Sequence, residues 1–429
     1  MSNSQLNNSE SLDGVNGRPW IKSIHIDKIR HLEDFDIPIC DDAAPRHLMI
    51  TGPNGSGKTS LLIAMKNLLE KIGNDDNLLL QCKMNDLLIE NSKKDPSVQQ
   101  SDKDIIAKGC ENINHRIELI EDENGELMFE MHDAVSFPLL THEKKFIIAF
   151  YQDSRVSSFK PVKAPVKPDI KFNIQENNGD QFIQFLVDLK IQQALARNEE
   201  NNTYAAEIEK WFEAFTNILR QLFNDNALSL DFNYKDYSFE IVTSETHFPF
   251  TGLSAGYAAI LDIVADLILR MQSLDRVTRV FEMPGIALID EVETHLHLAL
   301  QKNIMPMLTN LFPKVQFIVS THSPFVLNSI SNATIYDLQN RKCVQNLTEY
   351  SYEALAEGYF GVETDSGELK MRLDKLETLL AKTSKTDSDK LLIQNLIIDF
   401  EKIPDGIAPA QKTRFYELKR QYLLAGGKL

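Results

Sequence analysis

The nine residues Gly52-Pro53-Asn54-Gly55-Ser56-Gly57-Lys58-Thr59-Ser60 are spaced as G-x-x-x-x-G-K-[ST], and that spacing has a chemistry. Glycines at these intervals let backbone N–H groups curl around phosphate oxygens, and a helix starting at the loop turns its positive end toward the same charge. Lys58 reaches terminal phosphates, the Thr59 hydroxyl ligates Mg²⁺, and Asn54, Gly55, Ser56, Gly57 and Ser60 complete the cradle. The apolar run His47–Thr51 reads as a buried strand in front of the loop, and Leu61-Leu62-Ile63-Ala64-Met65 as the start of a helix behind it. The plain alternative is a glycine-rich turn capping an ordinary helix. The strand before and the helix after favour a nucleoside triphosphate site.

Two further stretches carry groups that such a site needs. The apolar run Ile286–Ile289 ends in Asp290-Glu291. A strand that delivers carboxylates beside a phosphate loop offers a Mg²⁺ ligand, Asp290, and a base for the attacking water, Glu291. Alone, the same pattern also fits solvated acids at a strand end. The run Val315–Val319 leads into Ser320-Thr321-His322-Ser323-Pro324. There His322 either bonds the γ-phosphate or its water, or sits in a capped turn before Pro324.

A third stretch, Leu253-Ser254-Ala255-Gly256-Tyr257, opens a helix over Ala258–Met271. Asp262, Asp266 and Arg270 recur at i, i+4, i+8 as one polar stripe and leave the rest apolar. Ser254 then stands at the N-cap, with free N–H groups facing an anion that this chain's own loop does not supply.

The 429 residues, 43% hydrophobic and 25% charged, have ordinary globular composition and length for one large domain or two to three smaller ones. Cys40, Cys82, Cys110 and Cys343 show no ligand spacing, which points to free thiols and a cytoplasmic location. No stretch approaches a membrane span, and residues 1–17 are polar without a signal pattern, so 1–19 is expected as a tail. The net charge of −17 opposes broad adsorption to nucleic acid; the local exception is the Pro-rich loop Lys160–Lys171, with four lysines.

Alternation at Ile24, Ile26 and at Phe35, Ile37, Ile39 predicts two edge strands around the Ile29-Arg30-His31-Leu32 turn. A hairpin is predicted from Arg116–Glu121 and Glu126–Met131 around Asn124-Gly125, and a buried strand at Phe146–Phe150 leading to Gln152. Residues 73–112 read as a helical or partly ordered insertion. Gln181–Phe223 is helical, followed by short strands at Leu228–Phe232 and Ser238–Val242. No comparable strand pair is expected beyond Asn340. Ser351–Leu424 reads as three or four amphipathic helices whose apolar faces, such as Leu373, Leu376, Leu379 and Leu380, suit docking of a partner or of a second copy of the chain; the plain alternative is that they pad the core.

Order and spacing together resemble ABC-type ATPases of the SMC and DNA-repair branch. Within it the chain is similar to stand-alone ATPases of bacterial phage defence: the ATPase subunits of Septu and retron-associated systems, the PARIS ATPase and the ATPase half of OLD nucleases. Glu293-x-His295-Leu296-His297 and Thr321-His322-Ser323-Pro324 look particularly like that branch. The resemblance spans Trp20–Asp337. It implies an α/β fold, an ABC-type P-loop head over 20–340 with a mixed sheet, an antiparallel edge and a helical lobe. Insertions fall at about 73–112 and 156–225, and a C-terminal helical region occupies 341–429.

It also implies ATP and Mg²⁺ as cofactors and two heads that sandwich two nucleotides, each phosphate loop facing the other chain's Ser254–Gly256. By the same resemblance Lys58 and Thr59 bind phosphate and Mg²⁺, Asp290 and Gln152 contact the metal, and Glu291 is the general base. His322 senses the γ-phosphate, and Arg30 touches the nucleotide from the first hairpin. Ala255 departs from the usual glycine or acid, Tyr257 from the glutamine of transporters, and Leu298 from a common proline.

The implied function is a dimeric ATP-hydrolysing switch, without membrane attachment, that controls or scaffolds a separate effector, a nuclease, in anti-phage defence. The alternative is a repair or chromosome-maintenance ATPase acting directly on DNA, although the span from Ile72 to Gln152 is too short for long coiled coils. The late acids Glu353, Glu357, Glu363, Asp365 and Glu368 fall on helix faces or in a turn, so the chain alone is expected to cut no nucleic acid.

Overall fold

In the computed structural model, alternation of Ile24 and Ile26 with polar neighbours folds as strand β1 (Trp20–Ile29), antiparallel to β2 (Leu32–Pro38). The structure describes residues 18–41, 43–94, 100–118, 127–154, 159–174, 176–272, 281–344, 347, 367–382, 384–403 and 409–424. The stretch 1–17 expected as a tail, and Glu353, Glu357, Glu363 and Asp365, lie outside the described residues. Two compact units follow one another, Met1–Glu349 and Tyr350–Leu429.

In the first unit, β3 (His47–Thr51) runs into the phosphate loop and then α1 (Lys58–Gly73). Leu61, Leu62, Met65, Leu68, Leu69 and Ile72 give α1 one buried stripe, each side chain worth about 1.5–3 kcal/mol of transfer free energy. The insertion is helical: α2 (Asp76–Lys94) and α3 (Gln100–Glu118).

A helix and a strand stand where the hairpin is predicted. The strand at its end, β4 (Leu127–His132), pairs antiparallel with β1, placing Phe129 opposite Ile24. Arg116, Ile117 and Glu118 instead close α3, where Ile113 and Ile117, one helical turn apart, are both buried. Six alternating residues fit either period, and tertiary packing decided for the helix. The Asn124-Gly125 turn lies outside the described residues.

After α4 (Ser136–His142) and β5 (Ile147–Tyr151), a helical lobe forms from α5 (Phe182–Asn198) and α6 (Asn202–Phe223). Trp211 packs edge-on against Phe185 at 5.3 Å inside it. The Asn201 side chain caps α6, and Asn224 ends it at φ 51°. The strands β6 (Ser229–Asn233), β7 (Ser238–Val242) and β8 (His247–Pro249) form a small antiparallel sheet. Next come α7 (Ala255–Met271), β9 (Gly285–Ile289), α8 (Leu298–Leu311), β10 (Val315–Ser320), α9 (Pro324–Leu327), β11 (Ala333–Asp337) and β12 (Lys342–Val344).

The central sheet has the order β12-β11-β3-β10-β9-β5, parallel except for β12. Its inner strands β9 and β10 are buried along their whole length, as continuous apolar runs require. The strand β11 next to β3 was not anticipated. Parallel pairing brings the carboxyl ends of five strands to one edge, where open α/β sheets place their ligands. The architecture is the α/β fold expected from the sequence, with a mixed sheet core behind the glycine-rich loop, an antiparallel edge sheet and a helical lobe. Among the described residues no helix is long and apolar enough to cross a membrane.

The second unit contains α10 (Gly367–Ala381), α11 (Asp387–Glu401) and α12 (Pro409–Leu424). A capping box between Thr386 and Asp389 starts α11. Leu373, Leu376 and Leu379, expected to dock a partner, are buried here in the unit's own core with Ile393, Ile397, Phe400 and Phe415. Leu380 packs against the same core, and Glu368 pairs with Arg372 on the surface.

Candidate functional site

The tip of β3 and the start of α1 are joined by a loop that only glycine could complete. Gly57, the N-cap of α1, has φ 98°, and a Cβ on it would stand 2.9 Å from Leu32 Cδ1 and 3.4 Å from His31 Cε1. The β1–β2 turn therefore presses on the loop through His31 and Leu32, while Arg30 (φ 54°) is exposed at the preceding position. No side chain caps α1, so its first N–H groups are available to an anion. Lys58 is buried, and its ammonium donates to the Gly52 carbonyl at 3.0 Å and the Pro53 carbonyl at 3.3 Å. Burial holds its pKa down, against the opposing pull of Glu291, Asp290 and Glu293. Thr59 is exposed, and the Ser56 hydroxyl is buried without a hydrogen-bond partner among the described residues.

Beside β3 in the sheet stands β10, and beside that β9, whose tip carries Asp290 and Glu291. Ser320, at the end of β10, ties them together. Its hydroxyl donates to Asp290 Oδ1 and accepts the Glu291 backbone N–H at 2.8 Å. Glu291 is held at φ 43°, a left-handed conformation that is unusual for glutamate. The Thr321 N–H donates to the Ile50 carbonyl at 3.0 Å, so His322 emerges directly from the sheet beside the phosphate loop. Burial lowers the pKa of His322, and Lys58 lowers it further, while Glu293, Glu291 and Asp290 oppose them.

The expected strand before Gln152 is present. Tyr151 of β5 pairs with Ile289, and its carbonyl accepts the Asp290 N–H at 2.8 Å, so Gln152 follows at the level of Asp290 with an exposed side chain. Thr59, Asp290 and Gln152 offer a hydroxyl, a carboxylate and an amide. These are hard oxygen donors that suit Mg²⁺, an ion that binds through few protein ligands together with phosphate.

Ser254 caps α7 by position, in extended backbone, but its hydroxyl makes no capping bond. Among the described residues no hydrogen bond joins Ser254 or Gly256 to the phosphate loop. The first turn of α7 rests instead on the loop after Glu291. A Cβ on Gly256 would stand 2.9 Å from the His295 carbonyl oxygen, and that neighbour is backbone. Gly256→Ala gains about 1 kcal/mol of helix propensity at most and loses about 1–3 kcal/mol to the forced shift. The expected net fall in stability, up to about 2 kcal/mol, is read from the denaturant midpoint; an unchanged midpoint would mean the turn slides freely.

Sequence reasoning missed Ser320, Glu293 and Tyr151. The signal for Ser320 was a small polar residue closing an apolar run, and for Glu293 a third acid in Asp-Glu-Val-Glu. Tyr151 gave none.

Comparison with known proteins adds the following. Residues 83–328, more than half of the chain, match the family described as "AAA domain, putative AbiEii toxin, Type IV TA system", a match that begins after the phosphate loop. Septu protein PtuA of Bacillus mycoides is 23% identical over 415 residues, 94% of this chain and 53% of that protein. The chain thus spans about half the length of that relative. The retron Ec83 probable ATPase of Escherichia coli is 42% identical over 89 residues, 20% of this chain and 16% of that protein. Among solved structures, the SMC head domain from Thermotoga maritima aligns at a TM-score of 0.34 and 14% identity, over 74% of this chain and 94% of that one.

Proposed function

The chain belongs to the AAA-domain family matched above, and from that premise we propose that it binds and hydrolyses ATP as the switch of a dimer. The observation that carries the reading is the shared sheet edge. Lys58, His322, the Asp290-Glu291 pair and Gln152 follow the carboxyl ends of four neighbouring strands, β3, β10, β9 and β5.

Each residue then has a task. The N–H groups of residues 54–60 hold phosphate, and Lys58 exchanges two neutral carbonyl partners for anionic oxygens. Thr59, Asp290 and Gln152 would hold Mg²⁺ together with ATP, and the ion would supply charge neutralisation at the transferred phosphoryl group. Glu291 accepts the proton of the attacking water. His322 hydrogen-bonds the γ-phosphate through its ring. Arg30, one residue before the His31–Leu32 contact with Gly57, lies within the same turn and borders the nucleotide.

Ser254 and the first N–H groups of α7 form an anion site whose phosphate comes from a second copy, so two chains close two sites. The resemblance to phage-defence ATPases extends the proposal: closing and opening of this dimer control a separate effector protein, a nuclease. Direct action on DNA finds less support. In the basic loop, Lys160 pairs with Asp180 at 2.9 Å and Lys171 with Glu176 at 2.6 Å, which balances two of its four lysines.

The test uses two inactive variants. Ser254→Arg places a guanidinium in the anion site and is expected to spare ATP binding while abolishing turnover. Lys58→Ala abolishes binding. In a heterodimer of the two, one composite site carries both defects and the other neither, so an equimolar mixture recovers about a quarter of wild-type turnover. Heterodimers that form, by mass measurement, yet recover nothing would mean either that the shared-site arrangement is wrong or that both sites must fire together.

A further inference from the structure

Three acids follow β9, and the ATPase reading employs two. The third, Glu293, reaches across to the loop after β10, where its Oε1 accepts the backbone N–H of His322. Its other oxygen, Oε2, is buried and has no hydrogen-bond partner among the described residues; the same is true of His322 Nε2. Buried polar atoms without partners cost stability, and a pair of them on residues already joined through the backbone needs a reason. Both residues lie in the field of Lys58, whose ammonium Glu293 stabilises and which in turn disfavours a charged His322.

The loop carrying Glu293 is held at both ends. The Glu291 N–H donates to Ser320 Oγ at 2.8 Å and the Val292 N–H to the Ser320 carbonyl at 3.1 Å. Two residues after Glu293, the His295 carbonyl lies under Gly256 with no room for a methyl group, and His295 itself is fixed at φ 67°. A carboxylate anchored in this way holds a defined position, and the group it grips is the backbone of His322.

We propose that Glu293 is a positioning residue: through the hydrogen bond from the His322 N–H to its carboxylate, it fixes the imidazole against the terminal phosphate of ATP. The proposal rests on the ATPase reading above. It asks Glu293 to supply an acceptor oxygen, not a proton site, and this separates it from a role as a second general base. Glutamine at 293 keeps an acceptor at the same reach; alanine removes it.

The experiment measures ATP affinity and single-turnover hydrolysis for wild type, Glu293→Ala, Glu293→Gln, His322→Ala and the double variant Glu293→Ala/His322→Ala, with a thermal melt confirming that each is folded. Glu293→Ala is expected to slow turnover about 10–100-fold while ATP affinity changes less than about 3-fold. Glu293→Gln is expected to recover at least about 10-fold over alanine. The double variant is expected to be no slower than His322→Ala, because Glu293 acts through that ring. Equal inactivity of the glutamine and alanine variants would assign the role to the charge and overturn the proposal. So would additive losses in the double variant, or an affinity loss as large as the turnover loss. Failure of the ATPase reading looks different: wild type itself would not hydrolyse ATP, or would do so independently of Lys58.

Discussion

Glu291→Gln is expected to bind ATP as tightly as wild type and to turn it over about 10²–10⁴-fold more slowly. The glutamine side chain fills the same space but cannot take a proton, so only the step that needs a base is lost. The binding groups are elsewhere: Lys58, Thr59 and the loop N–H groups sit at the tip of β3, two strands away from β9 in the sheet. The backbone at 291 is fixed independently of its side chain, since its N–H is held by Ser320 Oγ at 2.8 Å and its φ is 43°. The substitution therefore leaves the Ser320–Asp290 bond in place. On the proposed dimeric switch, an ATP-held dimer of the variant is expected to accumulate. Calorimetric ATP titration checks the first half and single-turnover hydrolysis the second. Turnover within a few-fold of wild type would put the base elsewhere, and Glu293 would be the next residue to examine.

Features coded by neighbouring residues were legible in the sequence. The strand before the glycine-rich loop, the helix behind it and the strand ending at Ile289 are each set by a short spacing, and each stands where that spacing indicated. Features that depend on which distant segment arrives alongside were not. Arg116–Glu121 alternates as a strand would, but β1 supplied a better partner for β4, and residues 116–118 stayed helical. Leu373, Leu376 and Leu379 describe an apolar face without saying what covers it; α11 and α12 do.

At the site, Ser320 and Glu293 matter because β9 and β10 are neighbours, a pairing between residues about thirty positions apart. The stripe Asp262, Asp266, Arg270 was read as the polar side of an amphipathic helix. In the structure all three are buried, because their partners come from residues 148–178, well upstream in the chain. Local periodicity reports that a face is polar and is silent on whether water or protein satisfies it.

That buried stripe carries the largest expected effect on stability. Asp266 is wholly enclosed, and both carboxylate oxygens are occupied. Oδ2 accepts from the Tyr151 hydroxyl and from Arg270 Nε, each at 2.7 Å, and Oδ1 accepts from the Asn178 backbone N–H and side-chain amide, each at 2.8 Å. Burial opposes the charge on Arg270, but Asp266 and Tyr151 outweigh it and the guanidinium's pKa is raised. The Tyr151 hydroxyl, buried and facing Asp266, is kept neutral. Arg270 also donates to the Asn173 carbonyl at 3.2 Å, tying the loop before α5 to the same cluster. Asp266→Ala would leave a buried cation without its counterion and strand the Tyr151 and Asn178 donors, at a cost of about 3–5 kcal/mol. Against a total of about 5–15 kcal/mol for a native protein, that is a large share. Replacing both charges by apolar side chains, Asp266→Leu with Arg270→Met, removes the unpaired cation and is expected to cost less than Asp266→Ala alone. Denaturant midpoints at constant m-value decide the comparison. A single variant that loses under about 1 kcal/mol, or a double variant that is no milder, would show that water reaches the cluster and compensates the charge. Because Tyr151 immediately precedes Gln152, the folded single variant should also hydrolyse ATP more slowly: the side chain that locks the end of β5 to α7 is the one that Asp266 holds.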